Sequence, residues 1–378
     1  MSKCQQKNSK KIYHLPLQIH IALYCVGKMP TKIEAHVFTT ISPTTHEPHG
    51  GNPVTIFLLN KNEEMSCENR SALAKSCAWE SVLVHLPLSV EDDSKEVLPR
   101  FFFYMPSGEE VSFCAHAAIG ACVAVKVMNA MNNTQVDTVA DATNFFVKKS
   151  RNGGMCLKFC VGDGIQSDVR IASVFAHLLE EGTGGTLAAE LDMDYSKFKE
   201  KCTAKGEENL VVKYVANVDS LLNEIGLKRE DVEDGTGALP SYINSSVARP
   251  KTIVAVKSLD LLHSAVNPKR PEYFRKLCDE IDSSGLYLYC NHDIIESRQF
   301  PRASGYPEDP ATGIAATALA CSLQLRNRLN SESSINVFQG TAMGRRSRIS
   351  IRFERSSSTF AKTVFCSGNV SISSIAEL

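Results

Sequence analysis

The residues able to do chemistry fall in three short stretches. Trp79-Glu80-Ser81 opens an alternating apolar run to Leu86. Phe113-Cys114-Ala115-His116 opens a small-residue apolar run to Met128, and Pro307-Glu-Asp309-Pro-Ala-Thr312-Gly313 opens another to Leu323. The last two runs are apolar nearly all round, so each predicts a buried helix. A helix start offers free N–H groups and a positive dipole end, and two of them facing one cleft hold a carboxylate without a metal. Asp309 is expected at the cap of the second helix, with Pro310 at its first position.

If residues 79–86 form a strand, Glu80 shares the apolar face of Val82, Val84 and Leu86. A core-facing acid has a raised pKa and can remove and return a proton beside a bound carboxylate. The alternative is that Glu80 ends a helix and reaches outward. His116, at a helix start, is expected to have a lowered pKa and to act as a neutral relay or donor; otherwise it is a core histidine bonded to a carbonyl. Asp309 is an acid of the site or simply a cap. Cys114 is a thiol base activated by the helix end or a small buried hydrophobe.

Spacing links the two helices. Pro106 to Cys114 and Pro301 to Asp309 are the same interval, and each loop leads from a strand end into a small-residue helix. This predicts an internal duplication whose two helix starts face each other.

The elements that must position these groups are read as follows. Strands are expected at Ile33–Thr39, Val54–Leu59, Phe101–Tyr104, Phe145–Val161, Val211–Val218, Thr252–Val256, Gly285–Cys290, Ile335–Gln339, Arg348–Phe353 and Ala361–Ile375. Helical spacing marks Glu63–Ala78, Val174–Leu179 and Leu221–Ile225. Gly50, Gly51 and Asn52 form a loop that permits close backbone approach to a ligand, which makes Asn52 a binding candidate. Residues 180–208 suit a surface insertion. Gly182-Thr-Gly-Gly-Thr lacks the preceding strand and the acid of a dinucleotide fingerprint. The fold class is α+β: two similar domains, each a curved, mostly antiparallel sheet around a central helix. The domains are placed at 29–145 and 146–375.

At 378 residues the chain is long enough for two cores, and a net charge of −1 argues against nucleic acid or anionic lipid as an obligate partner. The 13 cysteines are scattered with no C-x-x-C spacing, which points to free thiols in a reducing cytosol and no zinc site. His46 and His49 lack a third ligand nearby, so no metal is expected. The first 33 residues contain no acid, and their apolar run from Leu15 to Val26 is too short for a membrane span. Residues 1–28 read as an extension, a weak organelle signal, or residues before an alternative start at Met29.

Gly51-Asn-Pro, Trp79-Glu80-Ser81, Phe113-Cys-Ala-His116, Glu308-Asp-Pro-Ala-Thr-Gly313 and Gln339-Gly-Thr-Ala-Met-Gly344, in this order over residues 33–375, resemble the motifs of the phenazine-biosynthesis PhzF-like family. The resemblance implies a diaminopimelate epimerase-like fold, a homodimer, and isomerase chemistry without cofactor or metal. Glu80 would be the proton-transferring acid/base, with His116 and Asp309 assisting. Asn52, Cys114, Ala115, Thr312 and Gly313 would line the site and bind a small carboxylic acid. Three departures stand out. Ala115 replaces a usual glycine, Ile314 a usual serine, and Cys-Ala-Trp precedes Glu80 in place of Asn-Leu-Ser. They point to a different substrate or weaker catalysis. Two other readings are a non-catalytic carboxylate-binding protein and a one-base epimerase. A symmetric two-thiol racemase is not expected, because Cys114 is matched with Asp309.

Overall fold

The computed structural model describes residues 31–45, 47–59, 65–86, 98–132, 147–149, 155–162, 168–178, 185–193, 196, 199–201, 208–233, 242–325, 334–355 and 361–377. Expectations for residues 1–28 and for His46 lie outside the described residues.

The first half supplies β1 (Thr31–Ile41), β2 (Pro48–His49), β3 (Asn52–Leu59), β4 (Ser81–His85), β5 (Arg100–Tyr104) and β6 (Glu110–Val111), then a helix at Ala115–Asn132. After it come β7 (Val147–Lys149), β8 (Met155–Val161), β9 (Asp168–Leu178), β10 (Gly185–Asp192), β11 (Lys199–Lys201), β12 (Tyr242–Ser246) and β13 (Lys251–Ala255). The chain closes with β14 (Gly285–Asn291), β15 (Ile295–Pro301), a helix at Gly313–Leu325, β16 (Ser334–Gln339), β17 (Ser347–Arg355) and β18 (Ala361–Glu377).

Pairing runs β1–β3–β4–β5–β8–β9–β10–β18 and back to β1, a closed ring around the Ala115–Asn132 helix. Alternate residues point inward: Ile33, Ala35 and Val37, then Val54 and Ile56, Val82 and Val84, Phe101 and Phe103, all in one core with the helix. Small helix residues are needed because the wall is close. A Cβ on Gly120 would stand 3.1 Å from Val37 and Val54 side-chain carbons.

From β18 the pairing continues through β17, β16, β15, β14, β13 and β12 to β11, and β12, β13, β17 and β18 pack on the Gly313–Leu325 helix. Gly313 to Leu323 are buried without a break. Helices at Glu208–Glu224 and Pro271–Glu280 cover the outer face of this sheet through a second core that includes Val218, Leu222, Phe274 and Leu288. β18 thus belongs to both sheets and joins the two helix-centred halves. The fold is α+β, as expected.

Several local expectations change. Val211–Val218 is helical, not a strand, because Val218, Leu221, Leu222 and Ile225 fall on one helical face. Where a helix was expected at Val174–Leu179, β9 covers 168–178 and pairs on both sides, which overrides local propensity; residue 179 lies outside the described residues. Phe145–Val161 holds β7 and β8, an antiparallel pair in which Val147 meets Leu157. β8, β9 and β10 complete the ring around the first helix, although they follow the expected division at 145/146. Ala188, Ala189 and Leu191 of the expected surface insertion are buried in it.

Candidate active site

The starts of the two buried helices meet. A Cβ on Gly313 would lie 3.0 Å from the Ala115 Cβ, 3.0 Å from the Phe38 ring and 3.2 Å from Cys366 Sγ. Phe38 reaches this junction from a bulge in β1, where it takes a φ of 68° between the pairs Val37–Val370 and Thr39–Asn369. The carbonyl of Cys114 accepts the Ala118 N–H at 3.0 Å, and that of Thr312 accepts the Ala316 N–H at 3.0 Å. Cys114 and Thr312 are therefore equivalent positions, each one residue before its helix.

That equivalence corrects two sequence expectations. Asp309 is neither the partner of Cys114 nor the cap of the second helix, and Pro310 is not its first residue. The Gln339 side chain holds residues 309–312 outside the helix: its Nε2 donates to the Asp309 carbonyl at 2.7 Å, and its Oε1 accepts the Thr312 N–H at 3.1 Å. Asp309 also bridges to β15, donating its N–H to the Gln299 carbonyl at 3.0 Å. The equal spacing from the two prolines therefore does not end on equivalent residues.

Asp309 still lies in the cluster. Its Oδ2 accepts the Thr312 hydroxyl at 2.6 Å and its Oδ1 accepts the Asn52 amide at 2.7 Å. The second Asn52 N–H reaches the Ala311 carbonyl at 2.7 Å. Asn52, the first residue of β3, thus ties the first half to the entry of the second helix. Its own Oδ1 is buried and unpartnered among the described residues.

Glu80 ends the turn before β4, and its carbonyl accepts the Thr55 N–H at 3.1 Å, which starts the β3–β4 pairing. The side chain is 5% exposed, which settles the open question in favour of an inward acid. Oε1 accepts the Tyr306 hydroxyl. Among the described residues Oε2 has no hydrogen-bond partner, and it stands 3.9 Å from His116 Nε2. Burial, then the nearby Asp309 charge, push the carboxyl up to about 7, against the lowering pull of Tyr306 and Arg249.

His116 Nδ1 lies 3.3 Å from Cys114 Sγ and 3.4 Å from Asn52 Nδ2. Both Asn52 protons are committed to the shorter bonds, so Cys114 is the closer partner. Burial alone would lower the imidazole, but Cys114 and Asp309 facing it carry it above its usual range. The lowered pKa expected from a helix start is not what results, because these two groups outweigh burial and Arg249.

The structure adds residues that the motifs passed over. Tyr306 lies in the turn before Asp309, and its ring is 5.9 Å from that of Trp79. The Arg345 guanidinium is 5.5 Å from the Trp79 ring centre and donates to the Gly51 carbonyl at 3.3 Å. A signal for Tyr306 was available: it is the polar aromatic in a turn leading to a conspicuous acid. The loop is anchored from behind by Glu308, which accepts two bonds from Arg298 at 2.8 and 2.7 Å in a fully enclosed pair. Ile314 is buried in the core and brings no polar group.

A separate cavity of about 570 Å³ is lined by Thr40, His49, Phe338, Arg346, Arg348 and Asn369 among others, and none of Glu80, His116 and Asp309 borders it. Among the described residues no three His, Cys, Asp or Glu side chains converge as metal ligands. No helix among them is long and apolar enough to cross a membrane.

Comparison with known proteins agrees with this architecture. A phenazine biosynthesis-like PhzF-family protein of Bacillus anthracis superposes with a TM-score of 0.61 at 17% identity, covering 92% of this chain and 99% of its own. A predicted epimerase of Pseudomonas aeruginosa gives 0.60 at 16%, covering 92% and 98%. A PhzF-family protein of Enterococcus faecalis gives 0.54 at 13%, covering 93% and 99%. At these identities the likeness is one of fold, the diaminopimelate epimerase-like fold that PhzF proteins share. No curated protein matches the sequence. The family profile described as phenazine biosynthesis-like protein, PhzC-PhzF, matches residues 184–374, just over half of the chain. On that match, the chain belongs to the phenazine biosynthesis-like (PhzC-PhzF) protein family.

Proposed function

We propose that this protein is an isomerase that moves a proton on a small carboxylic acid, using its own side chains as acid and base. The observation that carries this reading is Glu80: a buried carboxyl raised to about 7, with one oxygen held by Tyr306 and the other free toward His116. A pKa near the working pH serves both removal and return of a proton. Family membership and the epimerase-like fold support an isomerase- or epimerase-type activity.

The substrate carboxylate would dock on the free N–H groups at the adjoining helix starts, around Ala115 and Gly313. Oε2 of Glu80 takes a proton from a neighbouring carbon, and the electron pair left behind spreads toward the bound carboxylate. The same proton is then returned to a different carbon, by Glu80 or through His116 at 3.9 Å. No electrons are gained or lost. Asp309 and Asn52 fix the two helix entries against each other, and Cys114 sets the imidazole orientation through Nδ1.

The test is solvent exchange. In D₂O the wild-type protein should incorporate deuterium at a substrate C–H from an acid found by screening metabolite extracts by NMR. A folded Glu80→Gln protein should not. Undiminished exchange in the variant removes Glu80 from the mechanism.

One observation favours a second reading, a carboxylate-binding protein without turnover. Ile314 places a buried hydrocarbon in the first turn of the second helix, so that position offers no hydroxyl to a ligand. Ligand shifts in the same screen, without new signals or deuterium, would identify it.

A further inference from the structure

Among the described residues, five arginines pair with acids: Arg298 with Glu308, Arg270 with Glu224, Arg352 with Glu190, Arg302 with Asp279 and Arg229 with Asp219. Arg249 is different. It lies in the turn between β12 and β13, only partly exposed, with its Nε fully buried and without a hydrogen-bond partner among the described residues. A buried donor left without an acceptor is costly, so it calls for an explanation.

Two more groups share its surroundings. Lys251 begins β13 on the same face as Ile253, which packs in the core around the second buried helix. Its ammonium group donates to the Ser284 carbonyl at 3.0 Å. Gln299 lies across β14–β15 from Tyr287, in the same core, and is 1% exposed; among the described residues neither its Nε2 nor its Oε1 has a partner. The Gln299 amide reaches over Gly285, next to Ser284, whose N–H is bonded to Pro250, so the three side chains come from adjoining backbone. The Gln299 carbonyl holds Asp309, which places the group beside the carboxylate cluster.

We infer that Arg249, Lys251 and Gln299 form a second anion-binding point of the cleft, and that the ligand is a small acid with two anionic groups. The buried Nε of Arg249 and the unpartnered Gln299 amide are directional donors that lack an acceptor, and the planar guanidinium suits a carboxylate or phosphate head. The charges are already felt across the site: Arg249 lowers Glu80, and Glu80 and Asp309 both act on Lys251. Burial and Arg249 bring Lys251 down to about 7, so an arriving anion would draw a proton onto it. This inference rests on the proposal that the cleft binds a carboxylate, and it adds where the second charge goes.

The experiment compares affinities, without turnover, by calorimetry on the full chain. Butyrate carries one anionic group, while glutarate and 3-phosphonopropionate carry two. Wild-type protein should bind a two-headed acid about tenfold more tightly than butyrate, a typical gain for a charge-assisted bidentate contact. Which two-headed acid binds better tells carboxylate from phosphate-type heads. In Arg249→Gln the ratio should fall to within about threefold, and Arg249→Lys should keep part of it. Gln299→Leu should also reduce it. Equal affinities in the wild type, or an unchanged ratio in Arg249→Gln and Gln299→Leu alike, overturn the subsite. Wild-type binding of both acids with equal strength leaves the carboxylate reading standing, whereas binding of none removes both. The exchange test on Glu80 bears on proton transfer only and does not enter this ratio.

Discussion

Oε2 of Glu80 faces Nε2 of His116 at 3.9 Å, while the other oxygen of the same carboxyl is held by Tyr306. One acid therefore has a fixed side and a free side, which is the arrangement a proton-transferring group needs.

The raised Glu80 pKa makes stability depend on pH in a definite direction. Its folded value, about 7, lies above the ordinary 4.5. The folded state thus binds the proton more tightly, and the stabilisation is complete below the unfolded value and lost as pH rises through about 7. A shift from 4.5 to about 7 corresponds to roughly 3 kcal/mol. Glu80→Gln should therefore melt higher than wild type at pH 8, and the gain should shrink toward pH 4. Calorimetric Tm values at the two pH values check it, and a destabilised variant at pH 8 contradicts it. Exchange activity should rise through about pH 7 as the base form fills.

Tyr306 lowers the Glu80 pKa by donating to the charged form. Tyr306→Phe should move the acid limb of the pH–rate profile upward by about half a unit to one unit. A rate loss at all pH values without a shift of the limb would assign Tyr306 to packing against Trp79 instead.

The Arg298–Glu308 pair is enclosed on both sides and anchors the loop that carries Tyr306 and Asp309. Glu308→Gln should cost about 3–5 kcal/mol, because it leaves a buried guanidinium uncompensated. The double change Arg298→Met with Glu308→Leu should be milder than Glu308→Gln alone. Urea denaturation of the three proteins decides the order.

Gly313→Ala would put a methyl 3.0 Å from both Ala115 and Phe38. Overpacking of this kind costs about 1–3 kcal/mol. Adding Ala115→Gly should return part of the loss, and the double-mutant cycle should show coupling between the two helix starts. Additive effects would mean that the two helices do not press on each other.

Two buried helices, their small residues and the local motifs were legible in the sequence because composition alone forces them: an apolar run without a polar face has nowhere to lie but inside. Glu80 was visible as an acid in phase with Val82 and Val84, although not its orientation. Asp309 was identified as a member of the site and misplaced within it. Counting along the chain measures loop length, whereas the start of the helix is set by Gln339, a residue thirty positions away whose amide clamps the Asp309 carbonyl and the Thr312 N–H. The His116 direction was missed for a similar reason. A helix dipole can be read from sequence, but Cys114 and Asp309 come to face the imidazole only in the folded chain. Valine-rich 211–218 looked like a strand until its apolar face met a second core. Local periodicity therefore decided which segments are buried and what chemistry they carry. Tertiary structure decided which groups meet, because hydrogen bonds and charges between distant segments exist only once β18 has joined the two halves.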